Sequence, residues 1–459
     1  MSSRQSAVVR ATALAVTAAV TLALSGAPAR ATSPAHGRAS NGEVVLQWNE
    51  WAGEGAKAAC LAPADNPLHE SRAYAMMHVA VHDALNAIHR RYESYVYGVR
   101  APRRASAEAA VAAAARGVLG PTFLATPAPF PPACGQAGQA FVEARYRDAL
   151  AAIPEGPAKA AGLEVGTAAA AAVLQLRSSD GSGAPLVDPG FPQGTQPGQW
   201  RFTPDAPLAF GPSWGTVAPF ALTSSDQFLP PPPPDVTGAR YARDVWDVKR
   251  LGGDGITTPS ARTPDQTQVA LFWLESSPLA WNRIARSVIR TRKVDAWETA
   301  RMFALLNMAM ADGYIASFAS KYRYRFWRPV TAIREADADG NPLTQGDPTW
   351  TPLVTNPPIP DYESAHAVEG AAAAAVLRQV LGTDRVTFST CSLTLPAGQR
   401  CSDPDPVLRS FTTLSQAARE NGRSRVLVGF HFRTAVHRGI QRGTAIGDWA
   451  VSTQLRRAR

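Results

Sequence analysis

Three short segments in the last third of the chain combine cationic side chains with histidines. They span residues 321–329, 360–367 and 424–431, and they supply three cations, a turn of small residues and two histidines. Cations and free backbone N–H groups stabilise a multiply charged oxyanion, and a neighbouring histidine can exchange protons with it. The three segments together therefore predict a pocket for a tetrahedral oxyanion.

The first segment, residues 321–329, lies at the end of a helical pattern. Lys321 and Arg328 are seven residues apart, a spacing that returns to nearly the same helix face. Pro329 is expected to end or kink the helix directly after Arg328, which would place both cationic arms where the chain turns. The alternative is a solvated basic face, which Arg323 and Arg325 favour.

The second segment, residues 360–367, leads from a proline-rich loop into an alanine-rich helix. The start of a helix presents unpaired N–H groups and therefore binds anions readily. Ser364 adds a hydroxyl group, and His366 would lie in the first helical turn. The alternative is ordinary capping by Ser364 or Asp361, with a histidine that has no special role.

The third segment, residues 424–431, places Arg425 and His431 on either side of an apolar stretch. This stretch leads into the last long helix, which the pattern predicts for residues 428–455. Gly429 permits a close approach of another part of the backbone. The alternative interpretation treats His431 as a core residue with satisfied hydrogen bonds.

The order of these motifs resembles a known superfamily. Lys-x6-Arg-Pro, Ser-Ala-His and Ser-Arg-x5-His follow one another as in the superfamily that unites vanadium-dependent haloperoxidases with type 2 phosphatidic acid phosphatases (PAP2). The chain is most similar to the bacterial haloperoxidase-like branch. Further similar segments extend the resemblance over most of the chain, at residues 76–89, 197–222, 262–273, 301–334 and 425–447.

The resemblance implies a role for each matching residue. The equatorial oxygens of a vanadate cofactor would be held by Lys321, Arg328, Arg425, Ser364 and the N–H of Ala365. His431 would coordinate the vanadium as its metal ligand, and His366 would be the acid–base group beside the apical oxygen. In a phosphatase, His431 would form a phosphohistidine. The partners implied are hydrogen peroxide and a halide for a peroxidase, or a phosphate ester for a phosphatase.

Three positions depart from the family pattern. Ala365 replaces a glycine, so a positive φ would be strained there. Glu363 replaces a proline; near the pocket it would weaken anion affinity or raise the pKa of His366, but its place near a helix start favours a side chain that points to solvent. Ala435 stands where phosphatases carry an aspartate that orients the histidine. That loss favours the haloperoxidase interpretation, unless another carboxylate approaches in space.

Apolar residues at helical spacing dominate the chain and predict an all-α protein. We expect two helical bundles packed as one compact unit, with N-terminal helices in 32–260, a PAP2-like core in 261–459 and the oxyanion pocket in the C-terminal half. Thr263 and Pro264 mark one helix start. Loops are predicted at 121–132, 178–236 and 334–360. The polyproline run at 230–234 is either a linker or part of a wrap around the helices, and nearby aromatic residues favour the wrap.

Residues 1–31 resemble an export signal, with Arg4 and Arg10 ahead of a short apolar run and a small-residue cleavage site before Thr32. The alternative is a membrane anchor. No later stretch approaches the ~20 uninterrupted apolar residues of a spanning helix, so we expect a secreted, extracytoplasmic protein without stable membrane insertion after signal cleavage.

Four cysteines fit that compartment: Cys391–Cys401 would close a short loop, which leaves Cys60–Cys134 as the second pair.

The net charge of +9 suits anionic ligands or surfaces. Nucleic acid is the least favoured partner, because most arginines are spread singly along the chain.

His78 and His82, with Asp83, could bind a metal on one helix face, but a packed helix whose histidines find hydrogen-bond partners is favoured. A homo-oligomer is possible. The sequence thus predicts a secreted haloperoxidase-like enzyme, with a secreted PAP2-type acid phosphatase or an inactive oxyanion-binding relative as alternatives.

Overall fold

Helices account for most of the part of the chain that the computed structural model describes, residues 41–292 and 294–458. The predicted signal peptide lies outside these residues. The helices are α1 (Asn41–Ala58), α2 (Pro67–Ile88), α3 (Ala107–Leu124), α4 (Pro132–Ala151), α5 (Pro157–Leu176), α6 (Ala239–Gly252), α7 (Pro264–Phe272), α8 (Ser277–Arg290), α9 (Ala296–Tyr324), α10 (Pro329–Arg334), α11 (Ala365–Leu381), α12 (Leu414–Leu427) and α13 (Arg433–Thr453). The strands are β1 (Val187–Asp188), β2 (Ala209–Phe210), β3 (Arg385–Thr390) and β4 (Arg409–Thr413), paired as two antiparallel hairpins. The all-α prediction is confirmed.

The central helix of the fold is α9. It packs against α1 and α2 of the N-terminal group and against α11 and α13 of the C-terminal group. By length and composition α9 could cross a membrane, but 94% of its apolar window is buried inside the protein. The apolar side chains of α9 therefore belong to the protein core. The described residues fall within one compact unit, while the predicted boundary at residue 260 stays a prediction.

The long segment between α5 and α6 wraps around the helices. Trp200 and Trp214 are buried in it, and the hydroxyl of Tyr324 donates to the carbonyl oxygen of Pro230 at 2.6 Å. The hydroxyl of Tyr362 donates to the next carbonyl, that of Pro231, at 2.7 Å. The polyproline run is thus fixed to residues near the pocket, which excludes its role as a free linker.

Some helix ends differ from the sequence prediction. Pro121 lies inside α3, where burial of Phe123 continues the helix to Leu124, so the predicted loop at 121–132 shrinks to residues 125–131. The start predicted at Thr263 is confirmed, since Thr263 and Gln266 form a reciprocal capping box.

The helix boundaries in the first and third segments, residues 321–329 and 424–431, also differ from the prediction. Helix α9 ends at Tyr324 and Arg325 adopts a left-handed conformation, so Lys321 and Arg328 do not share one helix. The last helix begins at Arg433 instead of residue 428. Gly429 lies in the break with φ +86°, and a Cβ there would meet the carbonyl oxygen of Gly252 at 2.7 Å. Glycine is therefore required at this close approach.

Both predicted disulfides are present. Cys391–Cys401 closes the short loop after β3, and Cys60–Cys134 joins the end of α1 to the start of α4. Each has a Cα–Cα distance suited to a disulfide, 5.2 and 5.5 Å respectively.

Candidate oxyanion site

The turn before α11 is held in place by Lys321. This lysine is fully buried in the last turns of α9, and its Nζ donates to the carbonyl oxygens of Pro360 and Asp361, each at 2.9 Å. Burial lowers the pKa of Lys321 well below its usual value, and Arg328 lowers it further, whereas Asp361 opposes both effects. Lys321 thus joins the first and second segments directly.

Two arginines approach the same place from other elements. Arg328 precedes α10; its Nε donates to the carbonyl oxygen of Ile359 at 2.6 Å and its Nη1 to that of Phe430 at 2.8 Å. Arg425, near the end of α12, donates from Nη1 to the carbonyl oxygen of Trp273 at 2.6 Å. Both guanidinium groups are therefore held by backbone carbonyls instead of carboxylates, and they keep their positive charge available.

Three buried donors in this region lack a protein partner. Arg328 Nη2, Arg425 Nε and Ser364 Oγ make no hydrogen bond to any part of the chain that the structure describes. An unsatisfied buried polar group costs about 1–3 kcal/mol, so three such donors at one place indicate a missing acceptor. An oxyanion offers several acceptor oxygens and no obligatory donor. The donor set therefore fits vanadate or phosphate.

The imidazole of His431 has a defined tautomer. Its Nδ1 lies 2.8 Å from Oδ1 of Asp361, which as a carboxylate accepts, so the lone pair is on Nε2. Arg328 Nη1 lies 3.1 Å from that Nε2. Burial lowers the pKa of His431 well below its usual value, and Arg328, Lys321 and Arg425 lower it further. His431 is therefore a neutral imidazole whose Nε2 accepts from Arg328, and the same lone pair can instead bind a metal or attack an electrophile.

Asp361 supplies the carboxylate that the sequence seemed to lack. Ala435 carries no acid, as the sequence shows, but Asp361 is fully buried and reaches His431 from the turn before α11. Burial raises the pKa of Asp361 to about 7, against the opposing effect of Arg328 and Lys321. The alternative left open by the sequence, a carboxylate that approaches His431 in space, is therefore the one observed, and the residue at position 435 does not discriminate between the two enzyme classes.

His366 lies in the first turn of α11 and is partly exposed. Its Nε2 is 3.3 Å from the carbonyl oxygen of Glu275, which can only accept, so Nε2 donates and the lone pair is on Nδ1. Burial lowers the pKa of His366 well below its usual value, with further lowering by Arg425, Lys321 and Arg328. A neutral His366 can accept a proton beside the pocket.

Glu363 does not point to solvent, contrary to the sequence prediction. It is fully buried, and its Oε1 accepts from Arg442 Nη1 at 2.6 Å and from Ser320 Oγ at 3.2 Å. Arg442 comes from α13 and is itself buried. The negative charge that replaces the family's proline is thus paired with a cation, which limits its effect on an anion in the pocket.

Ala365 is unstrained. It is the first residue of α11, and its φ is not positive, so the added methyl group meets no backbone penalty. The helix start still presents its N–H, and the hydroxyl of Ser364 lies beside it as the residue before the helix. The exchange of glycine for alanine therefore leaves the turn intact.

The structure brings the predicted site residues together. Lys321 and His431 both bind Asp361, Arg328 Nη1 lies 3.1 Å from His431 Nε2, and the carbonyl oxygen of Arg425 accepts from the N–H of His431. Sequence reasoning missed two supporting contacts, that of Asp361 with His431 and that of Arg442 with Glu363. The sequence shows the two acidic residues but not their partners, because each partner lies 70 or more residues away.

The histidine pair on α2 has protein partners. His78 Nε2 lies 2.8 Å from Asn49 Nδ2, and His82 Nδ1 lies 3.2 Å from Asp83 Oδ1. Both side chains are buried, and burial lowers the pKa of His78 to about 3. The favoured interpretation of a packed helix with hydrogen-bonded histidines is confirmed.

Known proteins share this architecture. A family model described as the VCPO second helical-bundle domain matches residues 301–458. Vanadium chloroperoxidase of Curvularia inaequalis is 30% identical over 225 residues, which are 42% of this chain and 35% of that protein. The match thus spans about a third of the length of that relative.

Solved structures match over more of the chain. The structure of a bacterial vanadium-dependent iodoperoxidase is 25% identical, has a TM-score of 0.71 and covers 91% of this chain and 97% of its own. A holo-type bacterial vanadium-dependent chloroperoxidase shares the fold at 18% identity, with a TM-score of 0.67 and coverage of 88% and 95%. With the matched motifs and the geometry of their side chains, these comparisons show a chain that has the vanadium haloperoxidase fold and is similar to vanadium-dependent haloperoxidases, most clearly over its second helical bundle.

Proposed function

We propose that this protein is a secreted vanadium-dependent haloperoxidase that uses hydrogen peroxide to oxidise a halide at a bound vanadate. The observation that carries the proposal is the set of three unpartnered buried donors on Arg328, Arg425 and Ser364, together with a neutral His431 whose Nδ1 is bound by Asp361. When bound, vanadate would act as a Lewis acid that makes peroxide electrophilic enough for a halide to attack. The relatives named above support peroxide and halide as substrates.

The side chains have separate tasks in this proposal. Arg328 Nη2, Arg425 Nε and Ser364 Oγ would donate to the oxygens of a bound vanadate, with the N–H of Ala365 and the third hydrogen of Lys321 Nζ as further donors. Each cation about 4 Å from a negative oxygen contributes roughly 4 kcal/mol at an effective dielectric constant near 20, before desolvation. This gain offsets the removal of a highly charged anion from water.

The two histidines control protons and coordination. Asp361 holds the Nδ1 hydrogen of His431, so the lone pair on Nε2 is the one that would bind vanadium. His366 accepts a proton from peroxide at Nδ1 and returns it to the departing oxygen. Because His366 is neutral in the folded protein, it is ready to act as a base before peroxide binds.

A PAP2-type acid phosphatase is the second candidate, and one observation favours it. Asp361 would orient and charge His431 as a nucleophile toward a phosphate ester, and His366 would protonate the leaving alcohol. The same residues serve both reactions, so the assay has to discriminate. An inactive oxyanion-binding relative is less favoured, since Glu363 is neutralised and Ala365 is unstrained.

The test measures both activities in one preparation. Purified protein is assayed for bromide oxidation with peroxide, with and without orthovanadate, and for hydrolysis of a chromogenic phosphate monoester. Halogenation that needs vanadate and is lost in His431→Ala supports the haloperoxidase. Hydrolysis that vanadate inhibits supports the phosphatase, and vanadate binding without either activity supports the inactive relative.

Secretion is tested separately. The two disulfides support an oxidising compartment. Expression of the full chain in a bacterial host that exports proteins should yield extracytoplasmic protein whose N-terminus lies near Thr32. Recovery of an uncleaved chain in the membrane fraction would favour the anchor instead.

A further inference from the structure

A groove on the surface carries an excess of positive charge and contains none of the pocket residues. Two adjoining cavities of about 570 and 400 Å³ share Asp247, Arg433 and His437 and thus form one groove between α6, α12 and α13. We call it the α6–α13 groove. Its arginines are Arg240, Arg243, Arg419, Arg423 and Arg433.

The groove has few negative charges to balance these arginines. Its carboxylates are Asp244 and Asp247, so five arginines face two acids and three positive charges remain. Asp247 pairs with Arg433 at 3.5 Å, whereas Arg243 and Arg419 make no ion pair or hydrogen bond within the described ranges. Unpaired arginines in one concavity are a binding surface for anions.

His437 shows that the arginines converge. Burial lowers the pKa of His437, and four arginines lower it further: Arg433, Arg240, Arg423 and Arg438. These side chains come from α6, α12 and α13, so the charge is assembled by the fold and not by a run of basic sequence. Sequence analysis found no role for His437 and saw only scattered arginines.

The arrangement of the arginines favours an extended ligand. Arg419 and Arg423 are four residues apart on α12, and Arg240 and Arg243 are three residues apart on α6. Both spacings place the two side chains about one helical turn apart, with Cβ atoms about 6 Å from each other. The floor is apolar, with buried Val426 in it. Guanidinium groups bind phosphate and sulfate oxygens in pairs. Two rows of cations along a groove match a row of such groups better than one small anion.

We propose that the α6–α13 groove binds a segment of a linear polyanion bearing phosphate groups. This binding is independent of the proposed peroxidase reaction, because no oxyanion-site residue lines the groove. It would hold the enzyme on an anionic polymer outside the cell while the oxyanion pocket stays free.

The test uses labelled inorganic polyphosphate and a labelled sulfated oligosaccharide, with fluorescence anisotropy at several salt concentrations. Arg419→Gln/Arg423→Gln and Arg240→Gln/Arg243→Gln should each weaken binding about tenfold or more, and should lower the slope of log K against log salt by roughly 1 to 2. Binding of polyphosphate in preference to the sulfated probe supports the proposal, and binding of the sulfated probe alone would overturn it.

The matched control is Arg103→Gln/Arg104→Gln, which removes two exposed arginines outside the groove. It should leave affinity within about twofold of the wild type, since only long-range charge is lost. Equal weakening in all three double variants, or no binding of either probe by the wild type, would overturn the proposal. Tighter binding of single-stranded DNA would overturn it too. Unchanged thermal unfolding midpoints would establish that the variants are folded.

Discussion

The buried pair of Glu363 and Arg442 gives the sharpest prediction. Arg442→Met would remove the guanidinium group that lies 2.6 Å from Glu363 Oε1, while both side chains are at most 1% exposed. Breaking one partner of a buried pair costs about 3–5 kcal/mol, because the other charge stays buried alone. Arg442 also donates to the carbonyl oxygens of Ala316 and Ser225, so part of the loss is neutral hydrogen bonding, at about 1 kcal/mol each.

The double variant Glu363→Gln/Arg442→Met separates these contributions. It has no orphaned charge, so it should recover at least about 1–2 kcal/mol relative to Arg442→Met alone. Urea unfolding followed by tryptophan fluorescence gives the free energies of unfolding by linear extrapolation. Vanadate affinity should fall in Arg442→Met, where an uncompensated carboxylate adjoins Ser364, and should return in the double variant.

The exposed pair of Arg378 and Asp448 supplies the control. Arg378→Met breaks a pair with Asp448 whose side chains are 33% and 41% exposed, so it should cost no more than about 1 kcal/mol. The reasoning fails if Arg442→Met is no more destabilising than Arg378→Met. It fails also if the double variant is less stable than Arg442→Met, since the buried charge would then not be the source of the loss.

Three further predictions follow from other contacts. Asp361→Asn should reduce kcat about a hundredfold or more in whichever assay is positive, because it weakens the bond that orients His431; steady-state kinetics with unchanged thermal unfolding would check this. Burial raises the pKa of Glu70 from an ordinary 4.5 to about 8, so the unfolded chain releases this proton first and the folded state loses stability between these pH values. Glu70→Gln should therefore gain stability over the wild type by several kcal/mol at pH 9 and not at pH 4, as denaturant midpoints at both pH values would show. Removing Cys60–Cys134 by serine substitution should cost roughly 4 kcal/mol and removing Cys391–Cys401 roughly 3, because the first closes the longer loop; equal losses would contradict the loop-length argument.

Local patterns in the sequence predicted the all-α class, and the capping box at Thr263 fixed one helix start. The motifs also selected residues that lie near one another, since Arg328 contacts His431 and Lys321 binds the turn that carries Asp361. That these residues bind an oxyanion stays a prediction. These features depend on residues within a few positions of one another, which sequence spacing describes well.

The missed features depend on partners far along the chain. The break after Tyr324 is set by a left-handed Arg325, and nothing in its side chain predicts that conformation. The partner of His431 is Asp361, a neighbour only after the turn before α11 has folded onto α13's start. The burial of Glu363 likewise needs Arg442, since a lone carboxylate would prefer water. Tertiary contacts, not local preferences, decide these three points.

The pairing of Glu363 with Arg442 also has a consequence for recognising relatives. The two residues are 79 positions apart and act as one unit in place of a proline. A genome search that demands proline before the serine would discard chains built in this way. We expect such chains to reveal themselves by an arginine at the distant position, inherited together with the acid.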